Sequence, residues 1–561
     1  MTLARLGSFH QSRLSFLRSL LRRAARENWT YERRLWQVDD KGEGVAVYRV
    51  GTAKRAYSLV CFPHDLPPEK RSDRVIADEW DATFVLYDGD IDAGGIDAGE
   101  IDAGEIARLQ ANAPGQEAGR YGPRDLVLSR ANRSVRLFDY AVTCLATGKQ
   151  PEAAQLAEIG YLMRTTAVYG NGKFGLADRC SIADRPELAG PFQAEMLTVW
   201  LIRWFTIDIV EHMARQRAPE TAVPLAADLR RVLGVGNATG LGMAPFLVLH
   251  SALIDRWIDA RETALARIRS LPAARDDTRD CFLDHLGRAQ KFAADWRVED
   301  KVQQERILGL REDLRDLRET VADFDWNQPA PWDRLIRWSE AHLRLEAQEM
   351  LVTLVLEPHG ELIDDLTEQM GVDETAEFKL DGTMPMAGLR HLIETHYSFA
   401  LGEDYRAAAS QARFWYVSAE KLEPRLGERF EEAGGELEQP LGIARDVKAL
   451  YDLAATVPAD QSLAAFLRDQ PELRHIARRV QITARHPYAE IRGNLLAADM
   501  RPIDLLRCKL AFFGATRFDP KSDRWLRITL FQHAPFPEEI DMASADNWAP
   551  PPVEVRPGEK R

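Results

Sequence analysis

Cysteine is scarce and scattered. The five thiols, Cys61, Cys144, Cys180, Cys281 and Cys508, are odd in number and contain no C-x-x-C pair. That spacing argues against a disulfide framework or a structural zinc site and fits a reducing compartment. Positive charge is in deficit: 73 Lys and Arg stand against 87 Asp and Glu, a net charge of −14. A broad nucleic-acid-binding surface is not expected from such a balance. Long apolar runs are missing too. The most apolar stretch, Met196 to Met213, carries Arg203, Asp208 and Glu211, so it reads as a buried core helix rather than a membrane span. The N-terminal segment lacks the continuous apolar core of a secretory signal. Its Leu6, Phe9, Leu14, Leu17, Leu20 and Leu21, set against Arg13, Arg18, Arg22 and Arg23, describe an amphipathic first helix. The expectation is a soluble, cytoplasmic chain with no nucleic-acid or membrane partner; homo-oligomerisation is left open.

Several chemical signatures are absent as well. No Walker loop, H-E-x-x-H or G-x-S-x-G motif is present. One E-x-x-H pair (Glu472/His475) and one H-x-x-E pair (His391/Glu394) occur, whereas a bundle di-iron site needs two E-x-x-H pairs and two further glutamates. No metal site is therefore expected. The identity of any organic cofactor is unknown from sequence, because helical folds hold cofactors without a local signature.

The chain predicts a mainly α protein with a small N-terminal α+β element, an antiparallel sheet, and a large helical body. Period-two segments at Trp29–Trp36, Gly44–Val50, Arg55–Phe62 and Ala82–Tyr87 read as the strands of that element, residues 1–122. It includes an acidic low-complexity loop at 90–105. From Pro123 helical spacing dominates, with helices expected over 124–147, 151–169 and 243–270 among others, giving a helical body of 123–520. The βαβ alternation of a doubly wound sheet is missing. Arg524 to Gln532 reads as a strand that returns to the N-terminal sheet, within 521–533, and 534–561 as a proline-rich tail.

Four glycines crowd the stretch Gly234-Val235-Gly236-Asn237-Ala238-Thr239-Gly240-Leu241-Gly242, which Met243-Ala244-Pro245 follow. Glycine permits close backbone approach, and proline suits a first helical turn. Free N–H groups and the helix dipole there favour an anion. Asn237, Thr239 and Gly240 are thus candidate substrate-binding residues, and the stretch does not match a dinucleotide fingerprint. A tight crossing of small residues is the plainer reading of the same glycines. A second glycine-rich turn, Gly170-Asn171-Gly172-Lys173, reads as a helix end. It adds Arg164, Asn171 and Arg179 as binding candidates and Lys173 as a catalytic one. His250, seven residues after Met243, and His64, just beyond a strand end, are candidate proton carriers. The segment 505–524 faintly echoes 161–179.

Two functions follow. One is an enzyme acting on a small anionic metabolite, a carboxylate or phosphate, by acid–base chemistry of the lyase, isomerase or hydrolase type. The other is a helical interaction or scaffold protein whose glycines serve only packing. A polar recess distinguishes the first from the second.

Overall fold

The computed structural model describes residues 11–67, 80–91, 101–113, 122–169, 185–188, 190–237, 252–371, 378–407, 409–410, 440–489, 502–522 and 525–549. Among these, nine strands form one sheet: β1 (Thr30–Val38), β2 (Gly44–Gly51), β3 (Ala56–Pro63), β4 (Ala82–Asp88), β5 (Asp125–Arg133), β6 (Tyr161–Tyr169), β7 (Gly234–Asn237), β8 (Arg517–Ser522) and β9 (Trp525–Leu530). Their order is β1-β2-β3-β4-β5-β6-β7-β9-β8. All neighbours are antiparallel except β6 and β7, which run parallel.

This overturns the expected small N-terminal sheet beside a separate helical body. The sheet draws strands from Thr30 to Leu530 and runs through both halves. Asp125–Arg133 and Tyr161–Tyr169, within segments read as helix, are β5 and β6. The cause is burial: every position of β5 is buried. A strand covered on both faces shows no alternation, so its pattern resembles a buried helix. Gly234–Asn237, read as a loop, is the strand β7.

The helix α5 (Gln193–Arg217) explains the curl of the sheet, and follows α1 (Phe16–Arg26), α2 (Ile101–Asn112), α3 (Phe138–Ala146) and α4 (Ala153–Ile159) in the chain. It packs against β3, β4, β5, β6 and β7. Its aromatic residues also reach the far strands. Trp200 meets Tyr31 of β1 at 5.0 Å, Trp204 meets Tyr48 of β2 at 4.7 Å, and Phe205 meets Phe84 of β4 at 5.4 Å between ring centroids. Trp200 and Arg203 lie one turn apart yet reach Tyr31 of β1 and Leu233 next to β7, so the sheet bends around the helix. A helix apolar on all sides belongs inside a core, and α5 is buried on every face from Gln193 to Val210.

The three charged residues of the stretch Met196 to Met213 each have a partner. Arg203, 1% exposed, donates from Nε to Leu233 O at 2.6 Å and from Nη1 to Ala534 O at 2.7 Å. Asp208 accepts from Tyr48 Oη and Arg33 Nη1 at 2.8 and 2.9 Å. Glu211 accepts the Leu225 N–H at 3.1 Å.

The face of the sheet away from α5 carries a satellite core of Val47, Val60, Val85 and Leu128, which Leu109 of α2 covers. The main core continues into α6 (Ala227–Val232), α7 (Leu253–Arg269), α8 (Asp276–Asp295), α9 (Lys301–Ala322), α10 (Pro331–His342) and α11 (Leu345–Leu356). A distinct core joins α12 (Met386–His396), α13 (Pro440–Ala454), α14 (Leu463–Asp469) and α15 (Arg474–Arg485). Near the C-terminal end, α16 (Pro502–Phe513) and α17 (Met542–Asn547) pack against α1.

The described glycines of the rich stretch serve sheet packing. A Cβ on Gly234 would lie 2.3 Å from Leu530 O, and one on Gly236 would lie 2.7 Å from the Tyr161 ring. The first contact is with the backbone of β9, which is paired on both sides, and has little room to yield. Gly234→Ala is therefore expected to cost about 1–3 kcal/mol through overpacking, read as a lower denaturant midpoint. An unchanged midpoint would show that β9 can shift freely.

Candidate functional site

Of the residues singled out from sequence, Lys173, Asn171, Arg179, Thr239, Gly240 and His250 lie outside the described residues. Arg164, Asn237 and His64 are described. The register aligns Pro63, Ala82, Ala131, Thr165 and Asn237 in one row across five strands. Asn237 is 3% exposed and donates from Nδ2 to Thr165 Oγ1 at 3.0 Å, and Thr165 Oγ1 donates to Gly236 O at 3.2 Å. Arg164 pairs with Gly236, one residue back. The structure thus brings Arg164 and Asn237 onto adjacent strands, but strand alternation sends their side chains to opposite faces. His64 follows β3, four strands from β7, or roughly 19 Å along the sheet at the usual strand spacing. Along the sheet it is three strands from Arg164 and four from Asn237.

A different constellation is buried beneath α1. Set against the leucines of an amphipathic helix, Arg13, Arg18 and Arg22 would ordinarily face water. They are instead 5%, 0% and 5% exposed. Helix α1 is wedged between α5, α16 and α17, so its cationic side must find acceptors indoors. Three carboxylates, from Glu357, Asp364 and Asp546, come from distant parts of the chain.

Their pairing is unequal. Arg18 grips Glu357 with both Nη atoms, the Nη2–Oε2 contact being 2.8 Å. Arg13 takes Asp364 through Nε and Nη2, both at 2.8 Å, and Asp546 at 3.0 Å. Arg22 has no carboxylate within hydrogen-bonding geometry. Its Nη2 donates to the Arg13 carbonyl at 2.6 Å and passes Asp364 at 3.5 Å, while its Nε is 4.0 Å from Asp546. Its Nη1 has no hydrogen-bond partner. The electrostatics agree. Burial opposes ionisation of Glu357, yet Arg18 and Arg13 hold its carboxyl down at about 2. Burial and then the charge on Arg13 push the Arg22 guanidinium down to about 9.

Arg22 lines a cavity of about 150 Å³. On α1, Ser19, Arg22, Arg23 and Arg26 face it, at the i, i+3, i+4 and i+7 spacing of one helical face. Across from them lie Gly190, Pro191 and Gln193 at the start of α5. Asp364, Thr367 and Met542 complete the wall. Helix α5 begins without a side-chain cap, because its N-cap Phe192 has φ 55° and offers none. Gln193 Nε2 donates to Phe16 O and Ser19 Oγ, both at 3.2 Å, which ties the helix start to α1. The N-terminus of a 25-residue helix thus opens beside three guanidiniums. Two independent attractors for negative charge meet at one recess.

One further ionisable group sits in that helix turn. Glu195 is 1% exposed and neither carboxyl oxygen has a hydrogen-bond partner. Burial pushes its carboxyl up to about 7.

Sequence reasoning passed over the α1 arginines because a row of Arg on an amphipathic helix usually faces water. The available signal was Arg18, which interrupts the apolar side between Leu14, Leu17 and Leu21 and so had to be paired or exposed. Among the described residues no group of three or more His, Cys, Asp or Glu side chains converges as a metal site would require, and no helix is long and apolar enough to cross a membrane. No protein-family model, curated protein or solved structure matches this chain.

Proposed function

We propose that the protein binds a compact oxyanion, such as phosphate, sulfate or the head of a small carboxylate or phosphate ester, in the recess between α1 and the start of α5. The observation that carries this reading is Arg22, a buried guanidinium that hydrogen-bonds no carboxylate and reaches Asp364 and Asp546 only at 3.5 and 4.0 Å, beside Arg13 and Arg18, which bond carboxylates directly. An unpaired buried charge is expensive, and a bound anion would compensate it. The cavity volume lies below the roughly 300–1,000 Å³ of drug-sized sites, which favours a small ligand over a nucleotide. Pro191 and Met542 in the wall suit a short apolar portion.

Turnover of that ligand by acid–base chemistry, of the lyase, isomerase or hydrolase kind, is the catalytic form of this proposal. Arg164, Asn237 and His64 are not in the lining, so that form rests on groups at the recess itself. The competing reading, a scaffold without ligand, gives no reason for three guanidiniums on the wall of one recess.

Thermal unfolding with sulfate or phosphate tests the proposal against sodium chloride at matched ionic strength. A ligand at 100 times its Kd adds about 2.7 kcal/mol, which should raise Tm by a few degrees. Arg22→Met keeps the stem and removes the charge, and should abolish the shift. No rise with any oxyanion, or a rise that survives Arg22→Met, would overturn the reading.

A further inference from the structure

We propose that the recess selects an oxyanion that brings its own hydrogen-bond donor, such as hydrogen phosphate or an α-hydroxy carboxylate, and that Asp364 makes the selection. This deepens the anion reading and rests on it. A guanidinium only donates and an ionised carboxylate only accepts. The wall of this recess presents both to one ligand.

The neutral side-chain donors of the wall are already engaged. Ser19 Oγ donates to Phe16 O at 2.9 Å, and Thr367 Oγ1 donates to Asp364 O at 2.7 Å. The two hydrogens of Gln193 Nε2 are shared among Phe16 O, Ser19 Oγ and Pro191 O, at 3.2, 3.2 and 3.3 Å. Side-chain donors for a ligand therefore come from the arginines. Arg23 places Nη1 on the carbonyls of Pro186 and Glu187, at 3.2 and 2.9 Å, and Arg26 Nη2 stands 3.5 Å from Glu368. Arg22 Nη1 is buried and has no hydrogen-bond partner.

Asp364 has acceptor capacity to spare. Each carboxylate oxygen offers about two acceptor positions. Oδ1 takes one hydrogen bond, from Arg13 Nε, and Oδ2 takes one, from Arg13 Nη2, both at 2.8 Å. The side chain borders the recess and is 31% exposed, so the remaining positions are not closed off. Arg22 Nη2 passes Oδ1 at 3.5 Å. The unengaged donor of Arg22 and the open acceptor of Asp364 are thus neighbours. Burial opposes ionisation of Asp364, yet Arg13 holds its carboxyl below the ordinary range. Near neutrality Asp364 accepts and does not donate.

An anion without hydrogen, drawn to Arg22, sets lone pair against lone pair and charge against charge at Asp364. An anion with a hydroxyl on or beside its charged group turns the same contact into a charge-assisted hydrogen bond. A site built around a substrate hydroxyl rejects the analogue that lacks it, because its polar groups are left unpaired.

Titration calorimetry of the full chain at pH 7 tests this with matched anions. Hydrogen phosphate is compared with sulfate and with monofluorophosphate, in which fluorine replaces the hydroxyl. Glycolate is compared with acetate. In at least one set the donor-bearing anion should bind about tenfold tighter or more, and that set tells whether the donor sits on the oxyanion or on the neighbouring carbon. Asp364→Asn should bring the ratio towards one by strengthening the donor-free anion. A purely structural role would weaken both anions alike and leave the ratio unchanged. The monofluorophosphate and acetate comparisons need only the wild-type chain, so a variant that fails to fold does not remove the test. Equal affinities within both sets, or a ratio unchanged in Asp364→Asn, overturn this proposal and leave the anion reading standing. No binding of any of these anions overturns both.

Discussion

Replacing Glu357 with alanine should cost about 3–5 kcal/mol of stability, the usual penalty for breaking a buried ion pair from one side. Glu357, at the end of α11, is 7% exposed and holds Arg18, which is fully buried. Without the carboxylate, Arg18 keeps only the Asp546 carbonyl, at 3.1 Å, of its present partners, and Arg13 loses the nearby charge as well. Its cation would remain in the core next to Arg13 and Arg22. Replacing both Arg18 and Glu357 with apolar residues of similar size should recover much of the loss, because the cost lies in the orphaned charge. Urea denaturation of the single and double variants measures this, and a single variant within 1 kcal/mol of wild type would refute it. Acid provides the same test without mutation. The carboxyl titrates at about 2 in the fold against 4.5 ordinarily, so it stabilises the protein above the ordinary value. That contribution disappears as pH falls from 4.5 towards 2. The shift corresponds to about 3 kcal/mol at one unit per 1.36 kcal/mol. In Glu357→Gln, stability should lose this part of its acid dependence.

Arg203→Met should be comparably damaging, at about 3–5 kcal/mol, for a different reason. Arg203 neutralises no carboxylate. It gathers backbone carbonyls from two separate segments, Leu233 before β7 and Ala534 after β9, and its guanidinium stacks on Phe536 at 3.9 Å. Truncation strands those buried acceptors, at about 1–3 kcal/mol each. Trp200 Nε1, which donates to Pro535 O at 3.0 Å, should retain part of the attachment. The C-terminal segment should therefore loosen before the sheet does. Limited proteolysis would show this as earlier cleavage in 531–549 than elsewhere; uniform destabilisation with no local cleavage would argue against the clasp.

The core helix α5 was legible in the sequence because its charged residues were too few and its apolar residues too continuous for a surface helix. Most of the sheet's N-terminal strands were legible too, since β1 alternates between exposed and covered positions. The strands β5, β6 and β7 were not. Buried Ser129, Arg130, Asn132 and Arg133 leave β5 without an apolar period, and Gly234 and Gly236 carried a turn signal although a close approach to Leu530 and Tyr161 is what requires them. The recess between α1 and α5 was illegible for another reason. Its members come from 19–26, 190–193, 364–367 and 542, and no local pattern records that Arg13 and Arg18 find carboxylates while Arg22 does not.

The place of β9 in the sheet has a consequence for biogenesis. Strand β7 ends at Asn237, and its outer partner begins at Trp525, 288 residues later. At about 5–20 residues per second, a ribosome needs roughly 15–60 s to deliver that partner. Throughout the interval the nascent chain presents an unpaired strand edge, the kind of template that recruits other chains. Synthesis between residues 237 and 525 is thus the period when mispairing is most exposed, and slowing translation after residue 237 should lower the soluble yield.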